Sequence, residues 1–188
     1  MDLQNNASRY VPLCCGASLT QPSRRAFLSL TGGSVLAASF GMIASGALAA
    51  SGNYEAMVLS CIDPRFQDLV DKQQAKDGLV GKYSAFTIAG ASIAVVAPAF
   101  KAWHETFWDN LAASIQLHNI KKVIVVNHRD CGAAKIAYGE KMVSTPEMET
   151  ATHKAALIEF NKQLKQKHPT LTSQLGLMSI DGTLEIFS

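Results

Sequence analysis

Apolar residues along the chain fall into short continuous runs and into longer stripes at helical spacing. The runs at residues 55–60 and 123–126 are bounded by polar residues, and each predicts a buried β-strand. Residues 103–119 and 146–167 carry apolar side chains three or four positions apart, which predicts two amphipathic helices. The second of these helices should end before Pro169, because proline cannot continue a helix.

The remaining segments predict further helices and strands in alternation. Residues 67–83 have a helical pattern, residues 84–96 predict a strand followed by a glycine-containing loop, and residues 131–139 begin another helix. Residues 175–187 predict two strands joined by a turn at Asp181-Gly182. Because strands alternate with helices, we expect an α/β domain in which helices flank a largely parallel central sheet.

Residues 1–49 have the pattern of an export leader. The twin arginines Arg24-Arg25 precede a run of small and apolar residues, 30–48, which ends at an A-x-A cleavage pattern in residues 47–49. A transmembrane anchor is the alternative, but the richness of the run in Gly, Ala and Ser argues against it. We therefore expect a twin-arginine signal peptide, one mature domain at residues 50–188, and export to the periplasm without a stable membrane anchor.

Removing the leader leaves a mature chain with no net charge. The full chain of 188 residues has a formal net charge of +2, from 17 basic and 15 acidic side chains. The leader holds four of these charged residues: Arg9, Arg24, Arg25 and Asp2. The remaining 139 residues carry 14 basic and 14 acidic side chains, without a basic stripe interleaved with aromatic residues. This composition disfavours a nucleic-acid partner.

The mature chain also keeps only two of the four cysteines. Cys14 and Cys15 leave with the leader, so that Cys61 and Cys131 remain. Free thiols are reactive in an oxidising compartment. We therefore expect that the two cysteines either form a disulfide or bind something.

Both remaining cysteines follow a predicted strand and lie beside other polar side chains that can bind metal. Asp63 and Arg65 come at alternate positions after Cys61, and His128 precedes Cys131 by three positions. The carboxyl ends of neighbouring strands in an open α/β sheet face one crevice, so these residues can converge. Thiolate, imidazole and carboxylate are ligands that zinc accepts.

A zinc ion is favoured over the disulfide because of the export route. Twin-arginine leaders export proteins that have already folded, often with a metal in place. A zinc ion loaded in the cytoplasm would hold both thiolates before they meet an oxidant. The leader and the predicted metal site therefore support each other.

Together, Cys61-x-Asp63-x-Arg65 and His128-x-x-Cys131 resemble the motifs of the β-class carbonic anhydrases, which are zinc enzymes that hydrate carbon dioxide. The resemblance extends over most of the mature chain and implies a β-carbonic-anhydrase-like fold. It implies that Cys61, His128 and Cys131 bind one zinc ion per chain. It also implies that Asp63 either pairs with Arg65 or swings onto the metal as a fourth ligand.

The reaction implied by this resemblance is the reversible hydration of carbon dioxide to bicarbonate by a zinc-bound hydroxide, catalysed by a carbonate dehydratase (a zinc lyase). Two thiolates and one imidazole leave zinc an open position, where the pKa of a bound water falls from about 15.7 towards about 7. Arg65 would hold Asp63 off the metal, and Asp63 would orient the hydroxide.

Alternatives to this reaction stay open at the level of the sequence. One is a hydrolase of carbonyl sulfide or carbon disulfide, because a related enzyme uses the same ligand set. Another is a zinc-binding homologue that has lost turnover. The resemblance also implies a homodimer or a higher homo-oligomer.

The sequence departs from the family pattern beside the predicted site. Thr87-Ile88 occupy the place of a frequent arginine–asparagine pair, and Asn127 replaces the usual glycine before the histidine. Arg129 and Asp130 put two charges between the histidine and the second cysteine. We expect these changes to affect substrate access or activity without removing the zinc.

The other histidines are weaker candidates for a role in the site. His118 lies on the apolar stripe of its helix, which is typical of a core or dimer-face residue. His104, His153 and His168 lie in helical, charge-rich surroundings and are predicted to be surface groups.

Overall fold

A computed structural model of the chain describes residues 52–187. The predicted leader and its cleavage site lie outside the described residues, so both stay predictions. Among residues 52–187, no helix combines the length and the apolar character needed to cross a membrane.

The described residues form strands and helices in alternation. The strands are β1 (Ala56–Ser60), β2 (Tyr83–Thr87), β3 (Lys122–His128), β4 (Thr172–Met178) and β5 (Leu184–Phe187). The α-helices are α1 (Pro64–Lys76), α2 (Ser92–Val96), α3 (Lys101–His118), α4 (Gly132–Tyr138) and α5 (Pro146–Lys167). Short 3-10 helices span Pro98–Phe100 and Glu140–Val143.

The five strands form one sheet in the order β2-β1-β3-β4-β5. All neighbouring pairs are parallel except β4 and β5, which form an antiparallel hairpin. Ser60, the last residue of β1, pairs with Val126 near the end of β3. The segments that leave β1 and β3 therefore start side by side at one edge of the sheet. The largely parallel α/β sheet predicted from the sequence is confirmed.

The two central strands are buried on both faces, which explains their continuous apolar sequences. Along β1, Met57 and Leu59 belong to a core packed against α3 and α5. Ala56 and Val58 point to the other face and pack with residues of α1. Successive side chains of the strand therefore lie in two apolar layers, one on each side of the sheet.

Most predicted elements are present with small differences in their bounds. Helix α5 begins at Pro146 and ends at Lys167 as predicted, and the Thr145 hydroxyl caps it by accepting a hydrogen bond from the Met148 N–H. Helix α1 begins at Pro64, three residues before the predicted segment. The stretch after β2 ends in the five-residue helix α2, which was not predicted because so short a helix shows no periodicity.

Candidate metal centre

Three buried side chains that can bind metal converge at the carboxyl edge of the sheet. Cys61 follows β1 directly, His128 ends β3, and Cys131 immediately precedes α4. Their ligand atoms all lie within 4.8 Å of one another. Both cysteines are free thiols, so the alternative disulfide is not formed in this structure. A cluster of two sulfurs and one imidazole matches the ligands that zinc prefers.

The His128 ring is oriented so that one nitrogen is left for a metal. Its Nδ1 lies 2.8 Å from the backbone carbonyl of Arg129, which fixes the proton on Nδ1. Its Nε2 is buried and has no hydrogen-bond partner among the described residues. The Phe66 ring packs against the imidazole at 4.1 Å between centroids and holds its plane. An unpaired buried nitrogen facing two sulfurs is the arrangement expected of a metal ligand.

The pKa values of the two thiols shift in opposite directions. A hydrogen bond from the Cys131 thiol, helped by His128 and the Gly90 N–H, lowers the pKa of Cys61 despite its burial. The same hydrogen bond and burial raise the pKa of Cys131. Burial lowers the pKa of His128, but the neighbouring Cys61 sulfur outweighs it and raises that pKa. The protons held by this cluster are those that a bound cation would displace.

Gly90, in the loop that follows β2, contacts the first cysteine directly. The Gly90 N–H donates to the Cys61 sulfur at 3.1 Å. Gly90 has a φ of +88°, and a Cβ added there would lie 2.9 Å from the Cβ of Ala133. Only glycine satisfies both the backbone conformation and the close packing at this position.

Asp63 and Arg65 form an ion pair beside the cluster. Asp63 caps α1, and its Oδ1 accepts from the Arg65 backbone N–H at 3.0 Å. The Arg65 guanidinium donates to both carboxylate oxygens, with its shortest contact 2.7 Å from Oδ2. That oxygen lies 4.0 Å from the Nε2 of His128. The side-chain hydrogen bond with Arg65 is the main reason that the pKa of Asp63 falls to about 2.

The two charged residues between His128 and Cys131 are held by partners that the sequence analysis did not identify. The Asp130 N–H and the Arg129 guanidinium both donate to Glu149, a buried carboxylate on α5. Arg129 also forms an ion pair with Glu185 of β5 at 3.3 Å. These contacts anchor the segment that carries two of the three candidate ligands.

Asn127 joins a buried polar network behind the same segment. Its Oδ1 accepts from the N–H and hydroxyl of Ser92 at 3.1 and 2.9 Å. Its amide nitrogen therefore donates to Nδ1 of His153, 3.1 Å away, and the His153 proton is carried on Nε2. Asn127 thus links β3 to α2 and α5.

The prediction that His153 is a surface group is wrong. The ring has no exposed surface, and burial, with smaller contributions from His128 and Arg129, lowers its pKa to about 4. A helical face runs along α5 from Glu149 through His153 to Phe160 and is buried along its length. The spacing of these residues could have indicated the burial, because it continues the apolar stripe of the helix.

The remaining histidines have no contact with the cluster among their hydrogen bonds. His118 is half-buried, and its Nδ1 lies 2.7 Å from the hydroxyl of Ser84. His104 and His168 are half-buried rather than fully exposed. His104 contacts the carbonyl of Ala97 at 3.0 Å.

A cavity of about 380 Å³ opens onto Cys61, Asp63 and His128. Apolar side chains form most of its remaining wall: Ile62, Ala89, Phe100, Trp103, Ala133 and Ile136. Ile62 and Ile136 are 58% and 73% exposed, so the mouth of the cavity is also apolar. The wall of this cavity therefore suits a small apolar molecule.

Known proteins resemble this chain in sequence. The family described as "Putative carbonic anhydrase" matches residues 51–164, more than half of the chain. "Uncharacterized protein RC0076" of Rickettsia conorii (strain ATCC VR-613 / Malish 7) is 36% identical over 129 residues, which cover 69% of each chain. An "Uncharacterized protein" of Rickettsia bellii (strain RML369-C) is also 36% identical over 129 residues, covering 69% of this chain and 79% of that protein.

Solved structures resemble the chain in fold. The β-carbonic anhydrase CafA of Aspergillus fumigatus gives a TM-score of 0.53 at 15% identity, covering 76% of this chain and 79% of that one. The β-carbonic anhydrase CcaA gives a TM-score of 0.54 at 14% identity, covering 76% and 77%. At these identities the likeness shows the fold alone. Since the family described as "Putative carbonic anhydrase" matches more than half of the chain, the chain belongs to that family, and its fold is that of the β-carbonic anhydrases.

Proposed function

We propose that the protein is a zinc-dependent carbonic anhydrase, which converts carbon dioxide and water reversibly into bicarbonate and a proton. The observation that carries the proposal is the buried cluster of Cys61, His128 and Cys131 beside the ion pair of Asp63 and Arg65. Membership of the family supports it, because the cluster lies within the matched residues.

The three clustered side chains would hold the metal through Sγ of Cys61, Sγ of Cys131 and Nε2 of His128. Three protein ligands are the number found in catalytic zinc sites, which keep a fourth position for water or substrate. When bound, zinc supplies a Lewis acid that lowers the pKa of a coordinated water from about 15.7 to about 7.

Asp63 would orient the attacking water. Its Oδ2 lies 4.0 Å from Nε2 of His128, so the carboxylate is next to the ligand atoms without being one of them in this arrangement. Because its pKa is about 2, the carboxylate stays ionised at neutral pH and accepts a hydrogen bond rather than storing a proton. The proton released by the reaction must therefore pass to solvent or buffer.

Arg65 would keep Asp63 in the arrangement that accepts the hydrogen bond. The guanidinium contacts both carboxylate oxygens and so fixes the plane of the carboxylate. The oxygen of the oriented water would attack the carbon of carbon dioxide and form the new C–O bond of bicarbonate. The apolar wall of the cavity suits the approach of an uncharged, apolar gas.

The test is the rate of carbon dioxide hydration, measured by stopped flow on zinc-loaded protein. We expect a rate above that of buffer, and Asp63→Ala should keep zinc but lose most of that rate. Asp68→Asn is the matched control, because it removes an exposed carboxylate of α1 whose ion-pair partner is Lys72. A rate equal to that of buffer at both neutral and alkaline pH would contradict the proposal. Hydrolysis of carbonyl sulfide or carbon disulfide in its place would identify the alternative substrates.

Metal content provides a second and simpler test. We expect about one zinc per chain and two free thiols in the mature protein, and Cys61→Ser should lose the zinc. Asp68→Asn, an exposed change on α1 outside the cluster, serves as the control for handling and stability. A cross-linked Cys61–Cys131 pair without metal would rule out the zinc site.

We also propose that residues 1–49 direct export to the periplasm through the twin-arginine route, on the sequence pattern alone. Replacing Arg24-Arg25 with two lysines should keep the protein in the cytoplasm, as measured by cell fractionation. A homodimer or higher homo-oligomer is proposed from family membership, and light scattering of the purified protein would measure its mass.

A further inference from the structure

Arg65 contacts a second carboxylate besides Asp63. Its Nη1 donates to Oδ2 of Asp130 at 2.9 Å, and its Nη2 donates to the Asp130 backbone carbonyl at 3.2 Å. All three guanidinium nitrogens are therefore engaged, on one side with Asp63 and on the other with Asp130. A guanidinium is planar, so contacts on two edges fix its position more firmly than contacts on one.

Asp130 is itself held firmly in the segment between the candidate ligands His128 and Cys131. Its φ is +52°, a left-handed conformation, and its N–H donates to the buried Glu149 carboxylate. Its Oδ1 accepts from Nζ of Lys135 at 2.7 Å, which leaves Oδ2 directed at Arg65. The segment that carries two ligands thus presents a fixed carboxylate to the arginine.

We infer that Asp130 is a positioning residue, which holds Arg65 against Asp63 and thereby favours the arrangement with Asp63 off the metal. The inference rests on the proposed function, since it concerns how Asp63 is shared between Arg65 and a metal held by the cluster. Without the Asp130 carboxylate, the guanidinium loses the contact of Nη1 and keeps only the Asp130 backbone carbonyl on that side. Asp63 is then released more easily and competes for the fourth metal position.

The size of the effect follows from the exposure of the pair. The Arg65 and Asp130 side chains are 41% and 60% exposed, so water screens their attraction. Exposed ion pairs shift an equilibrium by about 1.4- to five-fold. We expect a shift of this size in the equilibrium between free and metal-bound Asp63.

The experiment measures access to the fourth metal position without turnover. The protein is loaded with Co²⁺ in place of zinc, and azide is titrated in while the visible spectrum is recorded. In Asp130→Asn, the ratio of metal-bound to free Asp63, read from the visible spectrum before azide is added, should rise by about 1.4- to five-fold. Azide binds the form with Asp63 off the metal, so its dissociation constant rises only as far as the fraction of that form falls. Asparagine adopts a φ of +52° as readily as aspartate does, so this variant removes the charge without straining the backbone. Asp68→Asn should bind azide like the unaltered protein.

A double variant tests whether Asp130 acts through Arg65. Arg65→Ala should weaken azide binding by itself, and adding Asp130→Asn to it should have no further effect. Asp130→Gly repeats the test with the carboxylate deleted, because glycine also tolerates this backbone conformation. An unchanged ratio of metal-bound to free Asp63 in the Asp130 variants, or an equal rise of that ratio with and without Arg65, would overturn the inference. Absence of carbon dioxide hydration would contradict the proposed function but would not change these azide affinities.

Discussion

Protonation of His153 should reduce the stability of the protein in mild acid. The ring is fully buried and neutral, and burial is the main reason that its pKa is about 4 instead of the ordinary 6.5. The unfolded chain takes up this proton near pH 6.5, whereas the folded chain resists it until about pH 4. The stabilisation is therefore present in full above pH 6.5 and is lost as the pH falls to 4.

The magnitude follows from the difference between the two pKa values. Each pH unit of difference corresponds to about 1.4 kcal/mol, so His153 alone should lower the free energy of unfolding by about 3 kcal/mol between pH 7 and pH 4. The hydrogen bond to Asn127 is a second reason why the folded protein resists this proton. Nδ1 of His153 accepts from the Asn127 amide, and a proton on Nδ1 would leave two donors facing each other.

The assay is urea unfolding at a series of pH values, with the metal removed by a chelator and the thiols kept reduced. His153→Gln is the comparison, because glutamine does not titrate and every other group is shared. The free energy of unfolding of the unaltered protein should fall by about 3 kcal/mol more than that of the variant between pH 7 and pH 4. Parallel curves for the two proteins would refute the assigned protonation behaviour of His153.

Two further substitutions test the packing around the site and in the core. Gly90→Ala should cost about 1 to 3 kcal/mol and weaken zinc binding in a chelator competition, because a Cβ there meets Ala133 and displaces the N–H from the sulfur. Gly139→Ala is its control, with a similar φ of +87° and open space around it, so equal zinc affinities would contradict this reasoning. Phe160→Ala should cost about 3 to 5 kcal/mol in urea unfolding, whereas Ile158→Ala, 53% exposed on the same helix, should cost far less.

The fold and the three clustered side chains could be predicted because their signals are local in the sequence. Strand β3 is a continuous apolar run, and α5 is bounded by Pro146 and Pro169. Cys61 and His128 adjoin the ends of strands that a parallel sheet places side by side. In each case a few neighbouring residues determine the outcome, so no knowledge of distant contacts is needed.

The residues that hold the candidate site in place could not be predicted, because their role depends on contacts between elements that are distant in the sequence. Asp130 and Glu149 are 19 positions apart, and Asn127 and His153 are 26 apart. Nothing in a charge-rich helix distinguishes a glutamate that faces a backbone N–H from one that faces water. The burial of His153 had a signal, the continuation of the α5 stripe, but its polar character favoured the surface.

The start of α5 explains how the candidate site can be rigid although it lies partly on a loop. Glu149 holds the Asp130 N–H, and His153 accepts from Asn127, so one helix contacts the backbone or side chains on either side of His128. These contacts are made among residues of the chain itself. They hold the segment around His128 in place, which lowers the ordering cost of binding a metal. In a domain folded only by its metal, the binding free energy would instead be spent on folding. Here the buried sheet already fixes where the two strands end, and α5 fixes the segment between the histidine and the second cysteine.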